Sequence, residues 1–151
     1  MQIYIDADAC PVREETYKVA RRHSVPVTVV SNSFLRVPRE PLIKFIAVSD
    51  NFDAADDYIV ERANAQTIVI TSDILLAERC LKSNAAVLAP NGKAFTKDYI
   101  GGAIATRAIM ADLRAGADIP NIGGPPPFTH KDRSSFLESL HRTIEKLKHG
   151  N

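Results

Sequence analysis

Six aspartates stand where carboxylates could gather a cation. Asp6 and Asp8 flank Ala7 directly after the apolar run Ile3-Tyr4-Ile5. Asp56 and Asp57 lie just inside a helical pattern opened by Asp53, and Asp73 follows Thr67-Ile68-Val69-Ile70-Thr71-Ser72. Two anions at the end of a buried strand are costly to desolvate without a cation. Carboxylate oxygens are hard ligands and suit Mg²⁺ or Mn²⁺, which keep several waters and share the rest of their shell with substrate phosphate. An ion held in this way polarises a phosphoryl oxygen and lowers the pKa of a bound water. The chemistry implied is hydrolysis of a phosphodiester or phosphomonoester.

Acids at helix starts also have a simpler use, since the macrodipole favours them by about 0.3–1 kcal/mol each. Asp53 with Asp56 three residues later reads as an acidic capping box, and Asp73 can cap a helix over residues 74–82. Asp6 has no such partner nearby and is the strongest ligand candidate. Caps alone do not require acids on three separate elements. Ser72 and Thr71 are candidates for positioning a water or phosphate. Arg36, Arg39 and Lys44 surround a proline-bearing loop and, with Lys131 and Arg133, are candidates for holding a polyanion. The four histidines, His23, His130, His141 and His149, show no metal-ligand spacing. Cys10 sits near a helix start, which lowers a thiol pKa, but no histidine is placed to activate it, so it reads as a half-buried structural cysteine.

The elements that must position these groups alternate. Residues 2–5 read as a strand, 11–23 as a helix, 27–30 as a strand and 34–41 as a loop. Residues 45–48 read as a third strand, and a helix follows from Asp53 to about Ala65. Residues 67–71 read as a strand, 74–82 as a helix with Leu75, Leu76 and Leu81 apolar, and 85–89 as a strand stopped by Pro90-Asn91-Gly92. A helix capped by Thr96 runs to about Ala115, weakened by Gly101-Gly102. Gly123-Gly124-Pro125-Pro126-Pro127 is a rigid connector. The last helix starts near Asp132 and carries Phe136, Leu137, Leu140, Ile144 and Leu147 as an apolar stripe that needs a partner, either the sheet or a second subunit. Asp132 reads as the cap of that helix. Alternating strands and helices with both-face apolar strands predict a three-layer α/β/α fold around a mainly parallel sheet of about five strands, plus C-terminal helices. In such sheets ligands bind at the carboxyl ends of the strands, which is where Asp6, Asp56, Asp57 and Asp73 fall.

The chain has 151 residues, 45% of them hydrophobic and 25% charged, which predicts one domain over 1–151 with residues 119–151 as connector and packed helix. A net charge of +1 supplies no global field for nucleic acid, so any such binding uses local patches. Two cysteines without metal spacing, no signal segment and no membrane-length apolar run predict a cytoplasmic protein with no membrane partner.

Asp6-Ala7-Asp8 also resembles the motif of haloacid-dehalogenase-like phosphatases, in which Asp6 would be the nucleophile and Asp8 the acid–base. The later acidic pair of that family is not found. The order of Asp6, Asp56 or Asp57, and Asp73 is similar instead to PIN-domain-like nucleases, and the spacing of Asp56, Ile59 and Ala63 places Asp56 ahead of Asp57. The stretches Asp6-Ala7-Asp8-Ala9-Cys10-Pro11-Val12, Ala54-Ala55-Asp56-Asp57-Tyr58-Ile59, Thr71-Ser72-Asp73-Ile74-Leu75-Leu76-Ala77, Gly123-Gly124-Pro125-Pro126-Pro127-Phe128 and Asp132-Arg133-Ser134-Ser135-Phe136 resemble the YaiI/YqxD family of small bacterial proteins over nearly the whole chain. The resemblance implies a PIN-like fold. With it, the acids imply a Mg²⁺- or Mn²⁺-dependent nuclease acting on RNA. In that reading Asp6, Asp56 and Asp73 are catalytic, Asp6, Asp8, Asp56, Asp57 and Asp73 are the metal-ligand set, and Ser72, Arg36 and Arg133 hold substrate. A nucleic-acid- or metal-binding module without turnover is the alternative from another class. The apolar last helix leaves a homodimer open.

Overall fold

The computed structural model describes residues 1–7, 10–51, 53–98, 100 and 128–149. In chain order the elements are β1 (Gln2–Asp6), α1 (Arg13–His23), β2 (Val27–Ser31), β3 (Ile43–Ala47), α2 (Ala54–Arg62), β4 (Thr67–Ile70), α3 (Ile74–Lys82), β5 (Ala86–Leu88), β6 (Ala94–Phe95) and α4 (His130–Lys148). They form a six-stranded sheet in the order β3-β2-β1-β4-β5-β6. The first five strands run parallel, and β6 pairs antiparallel to β5.

Strand periodicity divides the core between the two faces of the sheet. Ile3 and Ile5 of β1, with Val27, Val29, Ile68 and Ile70, pack against Val12, Tyr17, Val19 and Ala20 around α1 and against Phe136, Leu140 and Ile144 of α4. Tyr4, Val30 and Val69 face the opposite way, onto Ile59 of α2 and Leu76, Ala77 and Cys80 of α3. The sheet is thus covered on both faces, as parallel sheets require. The apolar stripe of α4 finds its partner in α1 and the sheet of the same chain, and so gives no motive for a second subunit.

The chain winds outward from β1 to β2 to β3, then crosses back to place β4 on the other side of β1. The strand order therefore reverses between β1 and β4. Their carboxyl ends lead into α1 and α3 on opposite faces, the arrangement at which sheets of this kind form a ligand crevice.

Several expectations change in detail. The sheet has six strands rather than about five, because Pro90-Asn91-Gly92 turns the chain back instead of ending the sheet. Gly92 takes φ 90°, and the Ala89 N–H donates to the Lys93 carbonyl at 2.9 Å, closing a hairpin from β5 into the short β6. The third strand begins at Ile43, two residues earlier than the apolar run at Phe45, since pairing with β2 sets Val27 opposite Ile43. The second helix ends at Arg62 rather than near Ala65. Leu75 is not a core residue but 54% exposed, because the Asp73 cap turns the first turn of α3 so that Leu76 points inward. The stretch read as a helix from Thr96 to Ala115 lies largely outside the described residues, as does the connector 123–127.

Candidate functional site

Asp6 is the last residue of β1, and Asp73 stands three residues after β4, its neighbour. Thr71 ties them together. Its hydroxyl donates to Asp6 Oδ2 at 2.8 Å, and the Asp73 backbone N–H donates to Thr71 Oγ1 at 3.0 Å. Thr71 is buried, so its hydroxyl is held between the Asp6 carboxylate and the Asp73 backbone by its own need for partners. Asp73 Oδ1 accepts from the N–H groups of Leu75 at 2.9 Å and Leu76 at 3.3 Å, capping α3. The cap reading of Asp73 is thus correct.

Asp56, in the first turn of α2, is the third acid of this region, although Asp6, Asp56 and Asp73 do not bring one carboxylate oxygen each within 4.8 Å of the others. Its pKa is raised to about 6, first by burial and then by the negative charges of Asp73, Asp6 and Asp53, with Arg79 opposing. Asp56 thus shares a field with both strand-end acids. Asp57, one residue on, is exposed and accepts an ion pair from Arg79 Nη2 of α3 at 2.9 Å. The hundred-degree step of the helix separates the two, sending one toward the crevice and the other toward α3. Asp53 does not form the expected capping box. It sits at φ 69° with no side-chain cap bond, while its carbonyl accepts from Asp57 N–H at 2.8 Å. Asp8 lies outside the described residues.

The other candidates disperse. Ser72 is exposed beside Asp73. Arg133 does not stand free for substrate. Its Nη1 donates to the Pro11 carbonyl at 2.8 Å and to both Glu15 oxygens at 3.2 Å, and its guanidinium lies 4.9 Å from the Phe128 ring. It clasps α4 to the start of α1. Asp132 is not the cap itself but the third residue of a capping box opened by Thr129, whose hydroxyl accepts from Asp132 N–H at 3.1 Å while Asp132 Oδ2 accepts from Thr129 N–H at 3.0 Å. Cys10 is half-buried, and burial pushes its thiol up to about 11, outweighing the nearby helix start.

Arg36 lines a cleft of about 580 Å³ with Phe34, Leu35, Val37, Arg39 and Phe45. The loop carrying it leaves the carboxyl end of β2, the edge that holds Asp6, and crosses to the opposite edge where the parallel strand β3 begins. Phe34 is 84% exposed and meets the Phe45 ring at 6.0 Å in an edge-on contact. The arginines are legible as a patch in the sequence, whereas Phe34 is not marked by its type alone. An aromatic residue beside arginines in a loop bounded by Pro38 and Pro41 was the available signal. The histidines also depart from expectation, since His23 and His141 meet across 118 residues at 2.9 Å.

Comparison with known proteins is consistent along the chain. Residues 4–146 match the family described as "Uncharacterized BCR, YaiI/YqxD family". A UPF0178 protein of Sphingopyxis alaskensis is 63% identical over 148 residues, covering 98% of this chain and 96% of its own length. Another from Bradyrhizobium diazoefficiens is 52% identical over 97% of this chain and 87% of its own length, and one from Rhodopseudomonas palustris is 53% identical over 97% and 88%. No solved structure matches the chain. Among the described residues, no helix is long and apolar enough to cross a membrane. With a family match from the first strand to the last helix and relatives covered almost end to end, the chain belongs to the YaiI/YqxD (UPF0178) family.

Proposed function

We propose that the protein is a divalent-metal-dependent nuclease that hydrolyses RNA at the crevice between β1 and β4. The observation that carries this reading is the link from the Asp6 carboxylate through Thr71 to the Asp73 backbone, with Asp56 raised to about 6 by burial and by the charges of Asp73 and Asp6. Like charges gathered at a strand-order reversal favour a cation. The donor set fits Mg²⁺ or Mn²⁺, because it is all carboxylate oxygen and such ions keep waters between themselves and part of the protein shell. Asp6 and Asp73 would hold the ion, with Asp56 beside them and Asp8 and Asp57 as further ligand candidates. A bound divalent ion would supply Lewis-acid stabilisation of charge developing on a phosphoryl oxygen.

The chain's own residues supply the rest. Asp56, poised near neutrality, suits acceptance of a proton from an attacking water. Thr71 keeps the Asp6 carboxylate turned toward the crevice. Arg36 and Arg39 suit phosphates, and Phe34 offers a ring for a base to stack on, a combination used for single strands. Arg133 acts only at one remove, by fixing Pro11 at the end of the loop that follows Asp6.

Incubation of the purified protein with mixed single-stranded RNA and Mn²⁺ tests the reading. The wild type is expected to cleave, and Asp6→Asn and Asp73→Asn to lose roughly a hundredfold or more, the scale on which a single group stabilising transition-state charge acts. Asparagine caps helices about as well as aspartate, so Asp73→Asn keeps α3 intact. Equal cleavage by all three proteins would overturn the assignment.

A further inference from the structure

We propose that His23, His141 and Glu145 form a binding site for one divalent transition metal of the zinc class, at the crossing of α1 and α4 and separate from the aspartate crevice. His23 is the last residue of α1, and His141 and Glu145 are four apart on α4, so they stand side by side on one face. His23 Nε2 faces His141 Nδ1 at 2.9 Å, and the ring centroids are 4.9 Å apart. One ligand atom from each of the three residues lies within 4.8 Å of the others, and among the described residues no other set of three His, Cys, Asp or Glu does so. Two nitrogens bound to one tetrahedral zinc at about 2.0–2.1 Å sit roughly 3.3 Å apart. The observed pair needs only a small opening to reach that separation.

The donor chemistry selects the ion. Two imidazoles and a carboxylate suit Zn²⁺ and its neighbours, whereas Mg²⁺ and Mn²⁺ prefer oxygen. For an ion to bind both facing nitrogens, the proton that one of them now carries must move to that ring's other nitrogen, so that both rings bind as neutral imidazoles. His23 is half-buried, and burial first, then Lys148, His141 and Arg22, lower its pKa, against a raising contribution from Glu145. It is therefore neutral at pH 7, with one ring nitrogen free to donate its lone pair. Two neighbours complete the surroundings. His149 Nε2 is 3.3 Å from Glu145 Oε2, at the open side of the cluster. Lys148 Nζ lies 3.0 Å from His23 Nδ1, and this exposed ammonium must swing out as the ion enters. An ion here would fasten the end of α1 to the second half of α4.

Calorimetric titration of Zn²⁺ tests this in an Asp6→Asn background, which weakens the carboxylate crevice as a competing site. One ion per chain is expected. His141→Ala is the decisive variant, because His141 is exposed and its loss leaves the core intact. Loss of an outer-sphere partner alone costs metal sites roughly 10–100-fold in affinity, and loss of this ligand should cost no less. Lys148→Ala should bind Zn²⁺ more tightly. Zn²⁺ should raise the Tm of the Asp6→Asn parent but not of the His141→Ala form, while Mn²⁺-dependent RNA cleavage by an otherwise wild-type His141→Ala protein stays unchanged. Absence of Zn²⁺ binding in the parent, or equal affinity in parent and His141→Ala, would overturn the proposal.

Discussion

Asp56 is an acid whose protonation the fold alters. Its ordinary carboxyl value of 3.8 is raised to about 6 by burial and by three acidic neighbours. A raised acid binds its proton more tightly folded than unfolded, so its ionisation opposes folding. That opposition is absent below the unfolded value, grows as pH rises between the two values, and is complete above the folded one. Asp56→Asn should therefore raise Tm at about pH 7.5 and leave it nearly unchanged below about pH 4, as thermal melts across that range would read. Saturating Mn²⁺ should shrink the gain at neutral pH, because a cation relieves the same repulsion. A gain of equal size at both ends of the pH range would show that packing, not charge, sets the effect. Sequence spacing ranked Asp56 ahead of Asp57 but could not reveal Arg79, which sits 22 residues on and draws Asp57 away from the crevice. Asp53 illustrates the reverse. A cap was legible in its residue type, yet the turn puts it at φ 69° and its side chain makes no cap bond.

At the scale of elements, α4 carries the most information. Its stripe was legible because Phe136, Leu140 and Ile144 recur every four residues, and all three are fully buried. Its start lies at His130, two residues before Asp132, because Thr129 is the cap and Asp132 its reciprocal partner. Thr129→Ala should lower stability by about 0.5–2 kcal/mol, the usual loss for a helix cap. Leu140→Ala should cost about 2–5 kcal/mol, as expected for truncating a buried leucine in a packed core. Chemical denaturation with an unchanged m-value would check both. Arg133 belongs to this scale too. Its charge invited a substrate role, but its contacts with Pro11 and Glu15 join two helices 118 residues apart. A half-exposed ion pair contributes little by itself, so the carbonyl bond and the Phe128 contact make the clasp.

At the scale of the whole molecule, one close approach links the sheet edge to α4. A Cβ at Gly92 would fall 2.6 Å from the Ser135 carbonyl oxygen, and Gly92 also needs φ 90°. Both the left-handed turn and the backbone of α4 exclude a side chain there. Gly92→Ala should therefore destabilise the fold by more than about 1 kcal/mol, read as a lower denaturation midpoint. A neutral effect would mean that α4 can shift outward without penalty. Local chemistry in the chain determined the strands, the helices, their alternation and the acids that close two of the parallel strands, because apolar periodicity and turn residues act over a few positions. Tertiary structure alone decided which acids meet. Only the crossover that puts β4 beside β1 brings Asp73 to Asp6 through Thr71, and only the packing of α4 on α1 brings His141 to His23. Such contacts join residues 65 to 118 positions apart, and no local preference of the chain encodes a distance of that kind.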